Sequence, residues 1–170
     1  MKLIVGLGNP GKKFKNTRHN AGREITMALC PSKFQPSLLY KALLAEAFLN
    51  EEKYSFLLPE TYMNLSGISV ASFVRDHPLA PEDILVIHDE IDLPPGEVRF
   101  KKGGGHNGHN GLKDIIEKLG HSNFCRLRIG VGRPASKWEV ADYVLSPVNF
   151  AWPLSKVKEV LRQNHWADFS

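Results

Sequence analysis

Three short runs of the chain are apolar at nearly every position or at every second one. "LIVGL" (3–7) and "ILVIH" (84–88) carry no acid, Lys or Arg, the pattern of strands buried on both faces of a sheet, and "RLRIGV" (126–131) alternates. "LLAEAFLN" and "YSFLLPE" flank the polar "EEK", which predicts a hairpin at one side of that sheet. Helical spacing appears in Ala21, Ile25, Ala28 and Leu29, and again in Val70, Phe73 and Val74. It recurs in Leu112, Ile115, Ile116 and Leu119, where Gly120 makes a stop. A last helix is predicted after Pro153, with Leu154, Val157, Val160 and Leu161 on its apolar side. Strands alternating with helices predict a single α/β domain over residues 1–170, a twisted, mostly parallel (mixed) sheet flanked by helices. In such sheets ligands bind beyond the carboxyl ends of strands. "LIVGL" runs into "GNPG" and "ILVIH" into "DEID", so Asn9 and Asp89 are expected to face one crevice.

Composition narrows the class. With 42% hydrophobic and 24% charged residues in 170, the chain is an ordinary globular protein with enough length for one substantial core. A signal peptide needs an apolar core of roughly 7–15 residues, and the first apolar run here is shorter and is broken by glycine and proline. The expectation is a cytoplasmic protein with no membrane association. Cys30 and Cys125 lack any metal-ligand or Cys-x-x-Cys spacing and read as reduced, buried thiols.

The net charge is only +4, but its distribution is uneven. Residues 1–23 hold Lys2, Lys12, Lys13, Lys15, Arg18 and Arg23 with no acid, and 118–138 hold Lys118, Arg126, Arg128, Arg133 and Lys137, again with none. The acids gather in "EDILVIHDEID". Such segregation suits a polyanion on one basic surface, because neutralised phosphates release counterions. Uneven solvated faces explain it equally well.

Several chemistries compete. Gly6, Gly8 and Gly11 satisfy the dinucleotide fingerprint, but "KKFKNTRHN" has no helical periodicity and "LCPSKF" near position 30 carries no acid for a ribose. His88, Asp89, Glu90, Asp92, His106 and His109 have the right donor types for zinc or manganese. His88 and Asp89, as neighbours on a strand, point to opposite faces, and no H-E-x-x-H helix is present, so no metal is expected. No G-x-S-x-G elbow exists, and Ser66 reads as the first turn of a helix capped by Asn64. What remains is a histidine that activates water, held by a carboxylate on its other nitrogen, and His19 with Asp89 fits. Side-chain amides serve as oxyanion donors and as anchors for a peptide backbone, which makes Asn9, Asn64 and Asn110 candidates. Taken singly, Asn9 also reads as a turn residue, Asn64 and Asn110 as helix N-caps, and His19 as a surface or capping histidine.

"VGLGNPGKKFKNTRHNAG", "TYMNLSG", "HDEIDLPPGEVRFKKGGGHNGHNGLKDI" and "FCRLRIGVGRP" together resemble the bacterial peptidyl-tRNA hydrolases, in that family's order, across positions 4–134. The resemblance implies hydrolysis of the ester joining a peptide to the terminal ribose of tRNA, with no cofactor, metal or covalent intermediate. It implies His19 as base and Asp89 as the carboxylate orienting it. Asn9, Asn64 and Asn110 fall in the substrate-binding set with Phe14 and Met63, Asn110 as the residue that positions water. Lys101 and Arg128 match positions that clamp the 5′ phosphate of the tRNA acceptor end. Gly103, Gly104, Gly105, His106 and His109 belong to a mobile flap. A monomer acting on peptidyl-tRNA is implied. The chain departs from the family pattern at Phe14, where Tyr is usual, and at Asn107, where Gly is expected; it ends at "NHWADFS", earlier than many members do.

Overall fold

The computed structural model describes residues 1–169. Seven strands, β1 (Lys2–Gly6), β2 (Gln35–Ser37), β3 (Ala42–Leu49), β4 (Glu52–Pro59), β5 (Ile84–Glu90), β6 (Val98–Lys102) and β7 (Cys125–Gly130), form one sheet in the order β2-β3-β4-β1-β5-β7-β6. The four inner strands β4, β1, β5 and β7 are parallel, while β2 and β3 on one edge and β6 on the other run antiparallel to their neighbours. The helices are α1 (Ala21–Leu29), α2 (Ser66–Asp76), α3 (Asn110–Leu119), α4 (Val140–Val144) and α5 (Leu154–Gln163). None of them is long and apolar enough to cross a membrane.

The sheet is apolar on both faces because both are covered. Ile4, Phe56, Leu85, Ile87, Leu127 and Ile129 pack with Ile25 of α1 and Val157 and Leu161 of α5. The alternate residues Leu3, Val5, Leu57 and Val86 pack with Val70 and Phe73 of α2 and Leu112 and Ile115 of α3. The hairpin β3–β4 turns at Asn50 and Glu51, both with positive φ, so the two-residue turn precedes the "EEK" segment by one position. Gly120 stops α3 in the left-handed conformation expected of it.

Three elements escape the hydrophobic pattern. β2 is three residues around a proline, β6 reads "VRFKK" with lysines at its end, and α4 is barely more than one turn. Each is an edge or a short cover whose solvent side is polar, so neither period shows. β6 matters most, because it carries Lys101 into register with Arg126 on β7.

Close packing sets the crevice. Leu7 donates to the Ile87 carbonyl and accepts from the Arg23 N–H, which continues β1 along β5 and ties α1 to it. A Cβ on Gly22 would lie 1.9 Å from the Ile87 carbonyl oxygen, so only glycine lets α1 sit this close to β5. The carboxyl ends of β1 and β5 and the segment before α1 therefore converge.

Candidate active site

The "GNPG" turn is held by three hydrogen bonds from two residues. The Asn20 carboxamide takes the Asn9 N–H at 2.8 Å and donates to the Asn9 carbonyl at 2.9 Å. The Asn9 side-chain oxygen accepts from the Met63 N–H at 2.7 Å. With its oxygen so occupied, Asn9, only 6% exposed, offers its Nδ2 as a fixed donor. Arg18 anchors the neighbouring "TRHN" segment, donating to Ser146 Oγ at 2.5 Å and to the Pro147 carbonyl at 2.9 Å over the ring of Tyr143.

His19 and Asp89 meet as the sequence predicts: Nδ1 lies 3.0 Å from both carboxylate oxygens. His109 joins them, its Nε2 lying 2.7 Å from Asp89 Oδ1. The tautomer of His109 follows from its other nitrogen. Nδ1 accepts the N–H groups of Gly111 at 3.1 Å and Leu112 at 3.3 Å, so the proton is on Nε2 and is given to Asp89. One buried carboxylate thus accepts from two imidazoles. Burial alone would raise the Asp89 pKa, but the charge of His19 and the hydrogen bonds of both histidines hold it well below the usual carboxylate value. Burial alone would lower that of His19; the Asp89 charge and hydrogen bond outweigh it and raise the pKa above 6.5. His88 is different. Its Nδ1 lies 2.8 Å from the Asp89 carbonyl, and burial, with His109 nearby, pushes its pKa down to about 3.

His88 and Asp89 leave β5 on opposite faces, as strand alternation requires. His109 stands beyond the strand end and reaches both, its ring 5.2 Å from that of His88 and 5.0 Å from that of His19.

A cavity of about 380 Å³ opens beside this trio. His19 and Asp89 contribute to its wall, as do Lys101, Arg126 and Arg128 and the segment leading into α4. Strand alternation puts Arg126 and Arg128 on one face of β7 and Leu127 and Ile129 on the other, as expected. Arg126 is 2% exposed, its guanidinium stacked 4.2 Å from the Phe124 ring and bonded to the carbonyls of Gly104 (2.5 Å), Gly105 (3.0 Å) and Ser122 (2.9 Å). Burial lowers its pKa to about 10. The glycine segment is therefore tethered at Gly104 and Gly105, and Lys101 packs against Gly104. Gly103, Gly104, Gly108 and Asn107 all have positive φ, a conformation Asn tolerates better than most other residues. His106 closes a local turn by accepting the Gly108 N–H at 2.9 Å.

Some expectations need correction. His109 is not a flap residue but the N-cap of α3, and Asn110 is the first residue inside that helix rather than its cap. Asn64 caps nothing: it lies in a 3₁₀ turn over Met63–Leu65, Leu65 precedes α2, and the Ser66 hydroxyl donates to the Met63 carbonyl at 2.6 Å. Asn64 and Asn110 are both exposed and share the wall of a smaller polar cavity. Phe14 stands edge-on to the exposed Tyr62 at 6.4 Å, apart from the large cavity. The bracing roles of Asn20 and Arg126 were not legible: both lie within the quoted motifs, but the backbone groups they hold meet them only in the fold.

The residues with metal-donor side chains do not gather at one point as a set. Asp92 pairs with Arg133 at 2.5 Å, and Glu90 accepts the Asp92 N–H. Among the described residues only His19, Asp89 and His109 bring three ligand atoms within 4.8 Å of one another. Coordination through His109 Nε2 would move its proton to Nδ1 and expel the two N–H groups that Nδ1 caps, so this donor set fits a hydrogen-bonded trio better than a metal.

A histidine held by a buried carboxylate at the carboxyl ends of parallel strands, open to a cavity, has the form of a hydrolase site on a mixed α/β sheet. Comparison with known proteins narrows it. The family model for peptidyl-tRNA hydrolase matches residues 3–165. A peptidyl-tRNA hydrolase of Shewanella sp. (strain ANA-3) is 51% identical over 149 residues, 85% of this chain and 76% of the relative. That of Haemophilus influenzae is 49% identical over 150 residues, 86% of this chain and 77% of the relative. The crystal structure of peptidyl-tRNA hydrolase from Acinetobacter baumannii superposes with a TM-score of 0.86 at 36% identity, covering 100% of this chain and 97% of that one. The chain belongs to the peptidyl-tRNA hydrolase family.

Proposed function

We propose that this protein hydrolyses the ester between a peptide and the terminal ribose of tRNA by water that His19 activates. The observation that carries the reading is the position of His19: Nδ1 is committed to Asp89, so Nε2 is the nitrogen that takes a proton. Water adds to the ester carbonyl as its proton passes to His19 Nε2, and the imidazolium that forms is stabilised by the Asp89 carboxylate. The carbonyl oxygen becomes an oxyanion, for which Asn9 Nδ2 is a donor already fixed by the Met63 bond. Collapse breaks the bond to the ribose oxygen, which leaves with the proton from His19. Asn110, exposed in the first turn of α3 and in the wall of the cavity that His19 lines, is the residue to hold the attacking water, and Asn64, Met63 and Phe14 border the peptide.

Lys101 and Arg128, in the wall of the same cavity as His19, are the groups to bind the 5′ phosphate. The family membership supports the substrate class, and the geometry is consistent with these roles within it.

The deciding experiment measures peptide release from an N-acylaminoacyl-tRNA, with unblocked aminoacyl-tRNA as control and EDTA in a parallel reaction. Cleavage of the blocked ester alone, indifferent to EDTA, is expected. His19→Ala should lower turnover by about 10²–10⁴-fold while tRNA still binds. Unchanged turnover in that variant overturns the mechanism, and loss of activity in EDTA reinstates a metal.

A further inference from the structure

Trp138 is 83% exposed, an unusual position for the side chain with the most apolar area to hide. It lies in a 3₁₀ turn over Lys137–Glu139 whose start is fixed by Ser136, its hydroxyl accepting the Trp138 N–H at 3.3 Å. Lys137 Nζ sits 4.9 Å from the indole centroid. Trp138 is also part of the wall of the cavity that His19, Lys101 and Arg128 line. A tryptophan left in solvent beside a cation, on the rim of the substrate cavity, has the form of a stacking platform.

The occupant follows from what the cavity joins. On the reading given above, on which this inference rests, the ester lies at His19 and the 5′ phosphate at Lys101 and Arg128. In tRNA those two points are connected by the unpaired 3′ nucleotides, whose bases have no partner in the duplex. Phe14, Met63 and Asn64, assigned to the peptide, are absent from this cavity's wall. The wall instead holds the cationic side chains of Lys101, Arg128 and Lys137, which suit the phosphates of a single strand.

We infer that Trp138 is the stacking platform for a base of the unpaired 3′ end of tRNA, in the cavity between the phosphate-binding residues and His19. Stacking on a flat π face is tolerant of base identity, so the contact serves every acceptor end alike.

The test uses two 5′-phosphorylated acceptor minihelices labelled at the loop, one with the unpaired 3′ nucleotides ending in CCA and one blunt, read by fluorescence anisotropy. Trp138→Ala should weaken binding of the overhang RNA by about tenfold and leave the blunt RNA unchanged, and Trp138→Phe should lose less than about threefold. Equal effects of Trp138→Ala on both RNAs, or none on either, overturn the inference. So does a loss that appears only with acylated RNA and tracks the size of the acyl side chain, which would assign Trp138 to the peptide. Failure of the functional reading is separate: it appears as a wild-type protein that binds the overhang RNA yet cleaves no N-acylaminoacyl-tRNA.

Discussion

On the proposed mechanism, Asp89 sets the pH at which His19 works. A base must be neutral to accept a proton, and the Asp89 charge favours the imidazolium, so activity is lost as pH falls through a His19 pKa that lies above 6.5. The acidic limb of kcat/KM is therefore expected above pH 6.5. Asp89→Asn removes the charge and leaves burial as the larger influence, which moves the limb below its wild-type position while turnover drops by about 10²–10⁴-fold. A pH–rate profile of the two proteins checks this. A limb that stays in place would show that the titrating group is not the His19 held by Asp89.

At the scale of elements, α3 is tied to the chemistry through its cap. His109 satisfies two N–H groups of the helix with one nitrogen and Asp89 with the other. The two roles are separable by substitution. His109→Ala loses the cap and should cost about 1 kcal/mol of stability by urea unfolding, whereas His109→Asn restores a good capping oxygen and should stay within about 0.5 kcal/mol. Both leave Asp89 with His19 alone, so both should lower kcat. Wild-type kcat in His109→Asn would confine His109 to capping. The sequence made α3 legible through the spacing of Leu112, Ile115 and Gly120, and made β1 and β5 legible because strands buried on both faces read as unbroken apolar runs. It did not disclose β6, where the buried face contributes only Val98 and Phe100 among basic residues, nor Asn20, whose role exists only once β1 and α1 are side by side. His19, Asp89 and the asparagines were candidates by chemistry; His109 as cap could have been found, since it directly precedes the apolar period of α3.

The whole molecule presents its charges unevenly, and two solution properties depend on that. If Lys101 and Arg128 each hold a phosphate, alanine at either should weaken tRNA binding and reduce the slope of log affinity against log salt by about 1. Lys53→Ala is the control, because Lys53 lies on β4 and pairs with Glu46 of β3, on the opposite side of the sheet from β6 and β7. An unchanged slope in Lys101→Ala would remove that lysine from the clamp.

Folding stability should peak near pH 6.5, with different histidines responsible for each side. His88 is fully buried and its pKa is lowered to about 3, so between pH 6.5 and about 3 the unfolded chain binds a proton that the folded protein does not. Stability must fall as pH is lowered through that window, by about 1.4 kcal/mol per pH unit from this group. Asp89, with its pKa depressed, contributes stability that is present above its unfolded value of about 3.8 and is lost only at lower pH, so it steepens the end of the same limb. His19 acts in the other direction. Its folded pKa is raised, so its contribution is complete below 6.5 and disappears as pH rises through the folded value. Urea unfolding from pH 4.5 to 8.5 reads both limbs. His88→Asn, which keeps a side-chain donor for the Asp89 carbonyl, should lower stability at pH 7 yet flatten the acid limb. If the acid limb keeps its wild-type slope in that variant, proton uptake on unfolding comes from elsewhere and His88 is not the buried neutral group that makes this fold acid-labile.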